Sequence, residues 1–246
     1  MTTTKAIILG ADNGTKSLEG TSKILLPICG KPLIKFLISS VEQAGIDNIS
    51  VVVSPGMEQI AELITPHELF FQTKHLGTGN AVLTAEKNLQ PFDGCVLVLL
   101  GDTPLIRPET IQKMIDKYEQ GADVVVLAFL PTDLRRYGRL VMSEEGLEKI
   151  VEYLDASDFE RSIRLCNSGA MCLNGQYALE LIKKINNDNA AGQYYLTDIV
   201  ALAKKQGLKI DIVMGSVEEL HGINSKEELE AAEELFLKCN NIKGKR

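Results

Sequence analysis

The chain has 246 residues, 45% hydrophobic and 24% charged, with a formal net charge of −7 and a pI near 5.1. That length and apolar content can bury a substantial core within one α/β domain, and the acidic balance excludes a nucleic-acid backbone as partner, since phosphate backbones select a basic face. No window approaches the ~18 consecutive apolar residues of a membrane span, and no apolar segment with a small-residue cleavage site opens the chain, so a cytoplasmic protein without a membrane partner is expected. Cys29, Cys95, Cys166, Cys172 and Cys239 contain no C-x-x-C pair and lie mostly in apolar runs, which predicts reduced, packed thiols. His67, His75 and His221 are isolated, which argues against a histidine metal site.

Ala6-Ile7-Ile8-Leu9 reads as a buried parallel strand. The stretch after it, L-G-A-D-N-G-T-K-S-L-E-G-T-S-K from Leu9 to Lys23, leaves the carboxyl end of that strand, where open α/β sheets bind ligands. Gly10, Ala11 and Gly14 allow close approach of backbone N–H groups to phosphate oxygens, and Lys16 and Lys23 add charge. The bland alternative is an ordinary strand-to-helix turn. The stretch contains neither G-x-x-x-x-G-K-[ST] nor G-x-G-x-x-G, so a P-loop ATPase and a dinucleotide dehydrogenase are both disfavoured.

Leu25 to Pro32 leads into a helix over Leu33 to Ala44, with Pro32 near its first turn and Gly45 past its end. A strand over Ile49 to Val53, a helix over Met57 to Ile64 and a strand over Glu68 to Phe71 continue the alternation of a doubly wound sheet. Gln72-Thr73-Lys74-His75-Leu76-Gly77-Thr78-Gly79 then joins that strand to a helix over Gly79 to Asn88. The Gln72 amide offers a donor and an acceptor together, as needed to read a base, while Gly77 admits close backbone approach; a glycine-rich helix cap is the competing reading. Cys95 to Leu100 is a central strand ending in Gly101-Asp102-Thr103, which puts a carboxylate where a Mg²⁺ ligand meets a triphosphate, or where Asp simply caps a turn.

A helix over Pro108 to Glu119 and a strand over Asp123 to Leu130 follow. The alternation then breaks into a hairpin, with strands at Tyr137 to Leu140 and Leu147 to Tyr153 around Glu144-Glu145-Gly146. Glu152 and Asn167 are placed to hold sugar hydroxyls if the hairpin brings them together, one accepting and one donating; ordinary hairpin surface is the alternative. A helix over Tyr177 to Ile185, a helix capped by Thr197 and ending near Lys205, a strand over Leu208 to Met214 and a helix over Lys226 to Leu237 complete the domain. Asn224 is either a second Mg²⁺ ligand through its amide oxygen or part of a helix cap. One domain over residues 1–238 and a flexible tail over 239–246 are expected.

The order of these motifs is more specific than any one of them. The G-T-K and S-K elements of the loop, Q-T-K-H-L-G-T-G, L-G-D-T-P-L, Y-G-R, I-V-E-Y-L-D-A, N-S-G, G-Q-Y-Y-L-T-D and G-I-N-S span nearly the whole chain. In that order the chain resembles the uridyltransferase (pyrophosphorylase) domain of the bacterial bifunctional N-acetylglucosamine-1-phosphate uridyltransferases, within the sugar-phosphate nucleotidyltransferase family. The first loop resembles that family's L-x-x-G-x-G-T-R-[ML]…P-K signature.

The resemblance implies a Rossmann-like, doubly wound mixed sheet, the nucleotide-diphospho-sugar transferase fold, with an inserted β-hairpin that binds sugar. It implies UTP and a sugar-1-phosphate as substrates and Mg²⁺ as cofactor. No acetyl-CoA is expected, since no β-helical hexapeptide pattern is present. By position it assigns Lys16, Lys23 and Asp102 to catalysis, and Leu9, Gly10, Ala11, Gly14, Thr15, Lys23, Gln72, Gly77 and Thr78 to the nucleotide. Gly138, Glu152, Asn167, Tyr195 and Thr197 fall to the sugar phosphate, and Asp102 and Asn224 to the metal. Departures from the pattern are Asp12 for the first glycine, Lys16 for the arginine, Leu100 for an aromatic, and Leu154 and Leu165 for a Lys and a Glu. They leave room for a different sugar phosphate or for a nucleotide-binding protein without turnover.

Overall fold

The computed structural model describes residues 2–11, 22–223 and 225–243, without the side chains of residues 235 and 238–243. In chain order the strands and α-helices are β1 Thr4–Leu9, β2 Pro27–Ile28, β3 Lys31–Pro32, α1 Leu33–Gln43, β4 Asn48–Val53, α2 Ile60–Ile64, β5 Glu68–Phe71, α3 Thr78–Leu83 and β6 Cys95–Leu100. Then come α4 Pro108–Glu119, β7 Val124–Phe129, β8 Arg139–Ser143, β9 Gly146–Val151, α5 Asp158–Ser162, β10 Cys166–Asn174, α6 Ala178–Lys183, α7 Ile199–Lys205, β11 Ile210–Met214, α8 Val217–Leu220 and α9 Lys226–Lys243.

Apolar side chains alternate along the central strands between the two faces of one sheet, as the two-residue repeat of a strand requires. On one face Ala6, Ile8, Val51, Val53, Leu97 and Leu99 pack with Ile34, Leu37 and Val41 of α1 and Ile111 and Met114 of α4. On the other, Ile7, Leu9, Val52, Val96 and Val98 pack with Val82 of α3, Leu181 of α6 and Ile199 of α7. Helices on both faces bury both sides of the sheet, which is why its strands read as unbroken apolar runs.

The strand order is β11-β7-β10-β6-β1-β4-β5, with the β8–β9 hairpin joined through β8 to β10. The β1–β4, β1–β6, β4–β5 and β7–β11 pairs are parallel. Strand β10 runs antiparallel between β6 and β7. This is the Rossmann-like mixed sheet with an inserted hairpin that the sequence predicts, but β10 itself was not among the expected strands. The expected helix over 57–64 shortens to α2, that over 79–88 divides into α3 and a 3-10 turn at Glu86–Leu89, and α9 runs on past Leu237 to Lys243. Helix α5 was also unforeseen; it opens with a capping box in which Ser157 and Glu160 satisfy each other's backbone N–H groups.

A small third cluster closes the sheet's carboxyl edge. Leu26, Ile28 and Leu33 pack against Ile223 and Ala232, with Phe36 meeting Phe236 edge to face at 4.8 Å. Cys95, Cys166 and Cys172 are buried as expected, whereas Cys29 is exposed on a turn with φ of 48°. Turn geometry, which the apolar flanks hide, puts it there. Among the described residues no helix is long and apolar enough to cross a membrane.

Phe129 is fully buried at the end of β7 and meets the Tyr137 ring edge to face at 5.0 Å. Phe129→Ala is expected to lower the free energy of unfolding by about 3–5 kcal/mol, read from urea titration.

Candidate functional site

The parallel β1–β6 pair aligns Leu9 with Leu100, and Gly101 N–H donates to the Leu9 carbonyl at 2.8 Å. The loops after both strands therefore leave side by side. Between and beyond them lie two adjoining cavities. One, of about 310 Å³, is bordered by Leu9, Gly10, Ala11, Lys23, Gln72, Gly77, Thr78 and Tyr195. The other, of about 270 Å³, is bordered by Tyr137, Gly138, Asn167 and Thr197. Thr78, Leu100, Asp102 and Glu152 belong to both walls.

In the first cavity Gln72 is 4% exposed, and its Nε2 donates to the Gly77 carbonyl at 3.3 Å and to Asn80 Oδ1 at 3.1 Å. A carbonyl only accepts, so the nitrogen must lie on that side. The expectation that the amide offers donor and acceptor together is corrected: the donors serve the protein, and Oε1 is what remains for a ligand. Asn80, which fixes this orientation, carries no signal in the sequence because it sits inside helix α3.

Gly77 has φ of 112°, and a Cβ there would lie 2.6 Å from the Tyr194 carbonyl oxygen. No other residue allows that fit. It lets the segment before α7 press onto the Gln72 loop, with Tyr194 N–H donating to the Leu76 carbonyl at 2.7 Å and Leu196 N–H to Thr78 Oγ1 at 2.9 Å. Tyr195 is thereby held at the cavity wall.

The second cavity depends on the direction of β10. Asn167 stands opposite Ala128 near the carboxyl end of β7, and the register shifts between Asn167 and Met171. Gly169, with φ of 88°, makes that bulge, and a Cβ on it would lie 2.2 Å from Leu100 Cδ1. Ser168 completes the bulge by donating to the Leu127 carbonyl at 2.7 Å and accepting from Ala170 N–H at 3.2 Å. Asn167 is 7% exposed, its N–H donates to the Gly138 carbonyl at 2.9 Å, and its Oδ1 is buried without a hydrogen-bond partner among the described residues. It is not hairpin surface.

Thr197 Oγ1 donates to Glu152 Oε1 at 2.9 Å rather than capping α7, which corrects the expected helix cap. Burial pushes the Glu152 carboxyl above its ordinary range and Asp198 and Asp155 add repulsion, while the Thr197 hydrogen bond pulls the other way. Burial also raises Asp198 and Tyr195. Arg139 is 1% exposed and donates from Nε to the Arg161 carbonyl at 3.2 Å, from Nη2 to the Arg135 carbonyl at 3.3 Å and from Nη1 to the Tyr137 carbonyl. It shapes the loop that presents Gly138, a task the Y-G-R motif does not disclose.

Asp102 follows β6, and its Oδ1 is buried where the cavities meet. Its backbone carbonyl accepts from Ile223 N–H at 2.9 Å, which fixes the residue before Asn224 beside it. Asn224 lies outside the described residues, as do Gly14, Thr15 and Lys16. Lys23 opens a 3-10 turn over Lys23–Leu25 at the wall of the first cavity.

A Rossmann-like α/β sheet with paired cavities at the carboxyl ends of its parallel strands places this protein in the class of doubly wound α/β domains that bind ligands at that edge. Comparison with known families narrows this. Residues 6–165 match the MobA-like NTP transferase domain, and the chain belongs to that family. It is 46% identical over 235 residues to the bifunctional protein GlmU of Rhodospirillum rubrum, covering 95% of this chain and 53% of that protein. It is 44% identical over 231 residues to the same-named protein of Paramagnetospirillum magneticum, with 93% and 51% covered, and 42% identical over 237 residues to that of Roseobacter denitrificans, with 95% and 52% covered. The chain thus spans about half the length of these curated relatives.

The Glu152 environment predicts a trade between stability and binding. Its native carboxyl holds the proton more tightly than the unfolded chain, so ionisation costs stability above the native pKa, and the cost fades as pH falls below the unfolded value. Glu152→Gln is expected to raise the melting temperature at pH 8 and to leave it nearly unchanged at pH 4, read by calorimetry at both values.

Proposed function

We propose that the chain transfers the uridylyl group of UTP to a sugar-1-phosphate, with N-acetylglucosamine-1-phosphate as the acceptor, releasing pyrophosphate and forming a UDP-sugar. The observation that carries this reading is the junction of two unlike cavities at Asp102. One holds a lysine and a buried amide acceptor, and the other an acceptor–hydroxyl pair and a buried carboxamide. The motif order and the GlmU-named relatives support it further.

Gln72 Oε1 suits the ring N–H of uracil, with Gly77 and Thr78 against the nucleoside and Leu9, Gly10 and Ala11 along the phosphates; the motif position assigns Gly14 and Thr15 to the phosphates as well. Glu152 accepts from sugar hydroxyls, Asn167 and the backbone at Gly138 add polar contacts, and Tyr195 and Thr197 close the wall. An oxygen of the sugar phosphate attacks the α-phosphorus as the bond to the β-phosphate oxygen breaks, and the pyrophosphate carries away the electron pair. The nucleophile is already an anion, so neither a covalent enzyme intermediate nor a histidine base is required. Lys16 and Lys23 offset charge on the triphosphate, and the enclosed walls hold the two substrates in line.

Among the described residues no three acidic, histidine or cysteine side chains gather as a complete metal cage. Asp102 with the Asn224 amide oxygen still suits Mg²⁺, which takes one or two hard protein oxygens and completes its shell with water and substrate phosphates. Bound there, Mg²⁺ would supply positive charge to the phosphate oxygens.

The departures at Asp12, Lys16, Leu100, Leu154 and Leu165 favour a second reading, in which the acceptor is another sugar phosphate or turnover has been lost. Pyrophosphate release with UTP, Mg²⁺ and a panel of sugar-1-phosphates separates these. Release with N-acetylglucosamine-1-phosphate, reduced roughly 10²-fold or more in Asp102→Asn, is expected. Release only with another sugar transfers the assignment to that sugar. Silence across the panel with UTP still raising the melting temperature identifies a binding protein.

A further inference from the structure

Arg136 is the arginine that lines the sugar-side cavity, and Arg135, Arg139 and Arg161 near it are committed within the protein. Arg135 pairs with Asp133 at 3.7 Å and with Glu228 of α9. Arg139 is spent on three backbone carbonyls. Arg161 donates to the Tyr153 carbonyl at 3.2 Å and pairs with Asp158 at 3.5 Å. Arg136 shares the Tyr153 ring with Arg161, their guanidinium carbons lying 5.2 Å and 4.8 Å from its centre, but unlike Arg161 it has neither a carboxylate nor a carbonyl partner among the described residues. The side chain is exposed and borders the sugar-side cavity, of whose described lining it is the sole cation.

That cavity is otherwise acidic. Asp102 and Glu152 are in its wall, and Asp155 and Asp198 lie close enough to Glu152 to raise its pKa. A sugar phosphate entering such a wall meets repulsion unless a cation faces it. A guanidinium stacked on a ring is held in direction while its N–H donors stay available, and its planar fork matches a phosphate.

We propose that Arg136 receives the phosphate of the acceptor sugar phosphate and sets the preference of this cavity for a phosphorylated over a free sugar. This rests on the functional reading above, and it deepens that reading by naming a substrate contact that the motifs do not assign. Arg135 and Arg139 position the loop from its two ends, and Arg136 between them is the residue presented to the ligand.

The test uses the full chain and the variants Arg136→Met, which keeps an apolar stem against Tyr153, and Arg136→Lys. Binding of N-acetylglucosamine-1-phosphate and of N-acetylglucosamine is measured by calorimetry, and pyrophosphate release gives KM for each substrate. Arg136→Met is expected to weaken the sugar phosphate roughly tenfold or more, to leave free-sugar binding and KM for UTP within about twofold, and to be partly rescued by Arg136→Lys. Equal sugar-phosphate affinity in wild type and Arg136→Met overturns the proposal. So does a parallel loss of sugar and sugar-phosphate binding, which marks a structural role. Because binding is read apart from turnover, a wild type that binds the sugar phosphate without releasing pyrophosphate counts against uridylyl transfer alone.

Discussion

The antiparallel course of β10 is the constraint on which the two-cavity arrangement depends. Parallel strands deliver all their carboxyl ends to one edge, so the loops after β1, β5 and β6 converge there without further device. An additional parallel strand between β6 and β7 would bring its amino end to the opposite edge. Because β10 is reversed, its first residues lie at the ligand edge, and Asn167 stands level with Ala128 instead of across the sheet. The bulge at Gly169 then accommodates Leu100, a residue of both cavity walls, against the strand that supplies Asn167. One reversed strand thus unites the residues of the two cavities.

The parallel half of this architecture was legible because both faces of each strand are buried. Runs such as Ile7-Ile8-Leu9 and Val96-Leu97-Val98-Leu99 carry that double burial directly in their composition. The reversed strand was not, since Asn167-Ser168-Gly169 interrupts its apolar run with the residues of a turn. In the fold Ser168 donates to the Leu127 carbonyl and accepts from Ala170 N–H, so these residues form a bulge within the strand, with the Ser168 hydroxyl satisfied across the sheet. Such satisfaction depends on a partner 41 positions away, beyond the reach of local pattern.

Site residues divide in the same way. Asp102, Gln72 and Glu152 stand out in the sequence as polar residues at the ends of apolar runs, and the fold brings them to the two adjoining cavities. Their orientation is not legible in the sequence. That Gln72 presents its oxygen follows from Asn80 and Gly77, and that Thr197 faces Glu152 rather than a helix terminus follows from the strap laid across Gly77. Arg139 has no carboxylate partner among the described residues and instead converges on the carbonyls of three residues, a pattern visible only once the hairpin is closed.

The charges along the two cavities are unevenly placed. Lys23 borders the first cavity alone and Arg136 the second alone, whereas Asp102 and Glu152 border both, and burial with repulsion from Asp155 and Asp198 keeps Glu152 reluctant to ionise. A carboxylate held in this state accepts hydrogen bonds strongly from a neutral donor, since each one offsets solvation it has lost. It is correspondingly inhospitable to an unscreened phosphate. On the proposed function, a sugar phosphate would therefore enter with its hydroxyls toward Glu152 and its phosphate turned away from it, toward the positive charge at the opening. The acidity of the wall would then act as an orienting device, and the cost of burying Glu152 would be offset when the sugar supplies the donors that water no longer can.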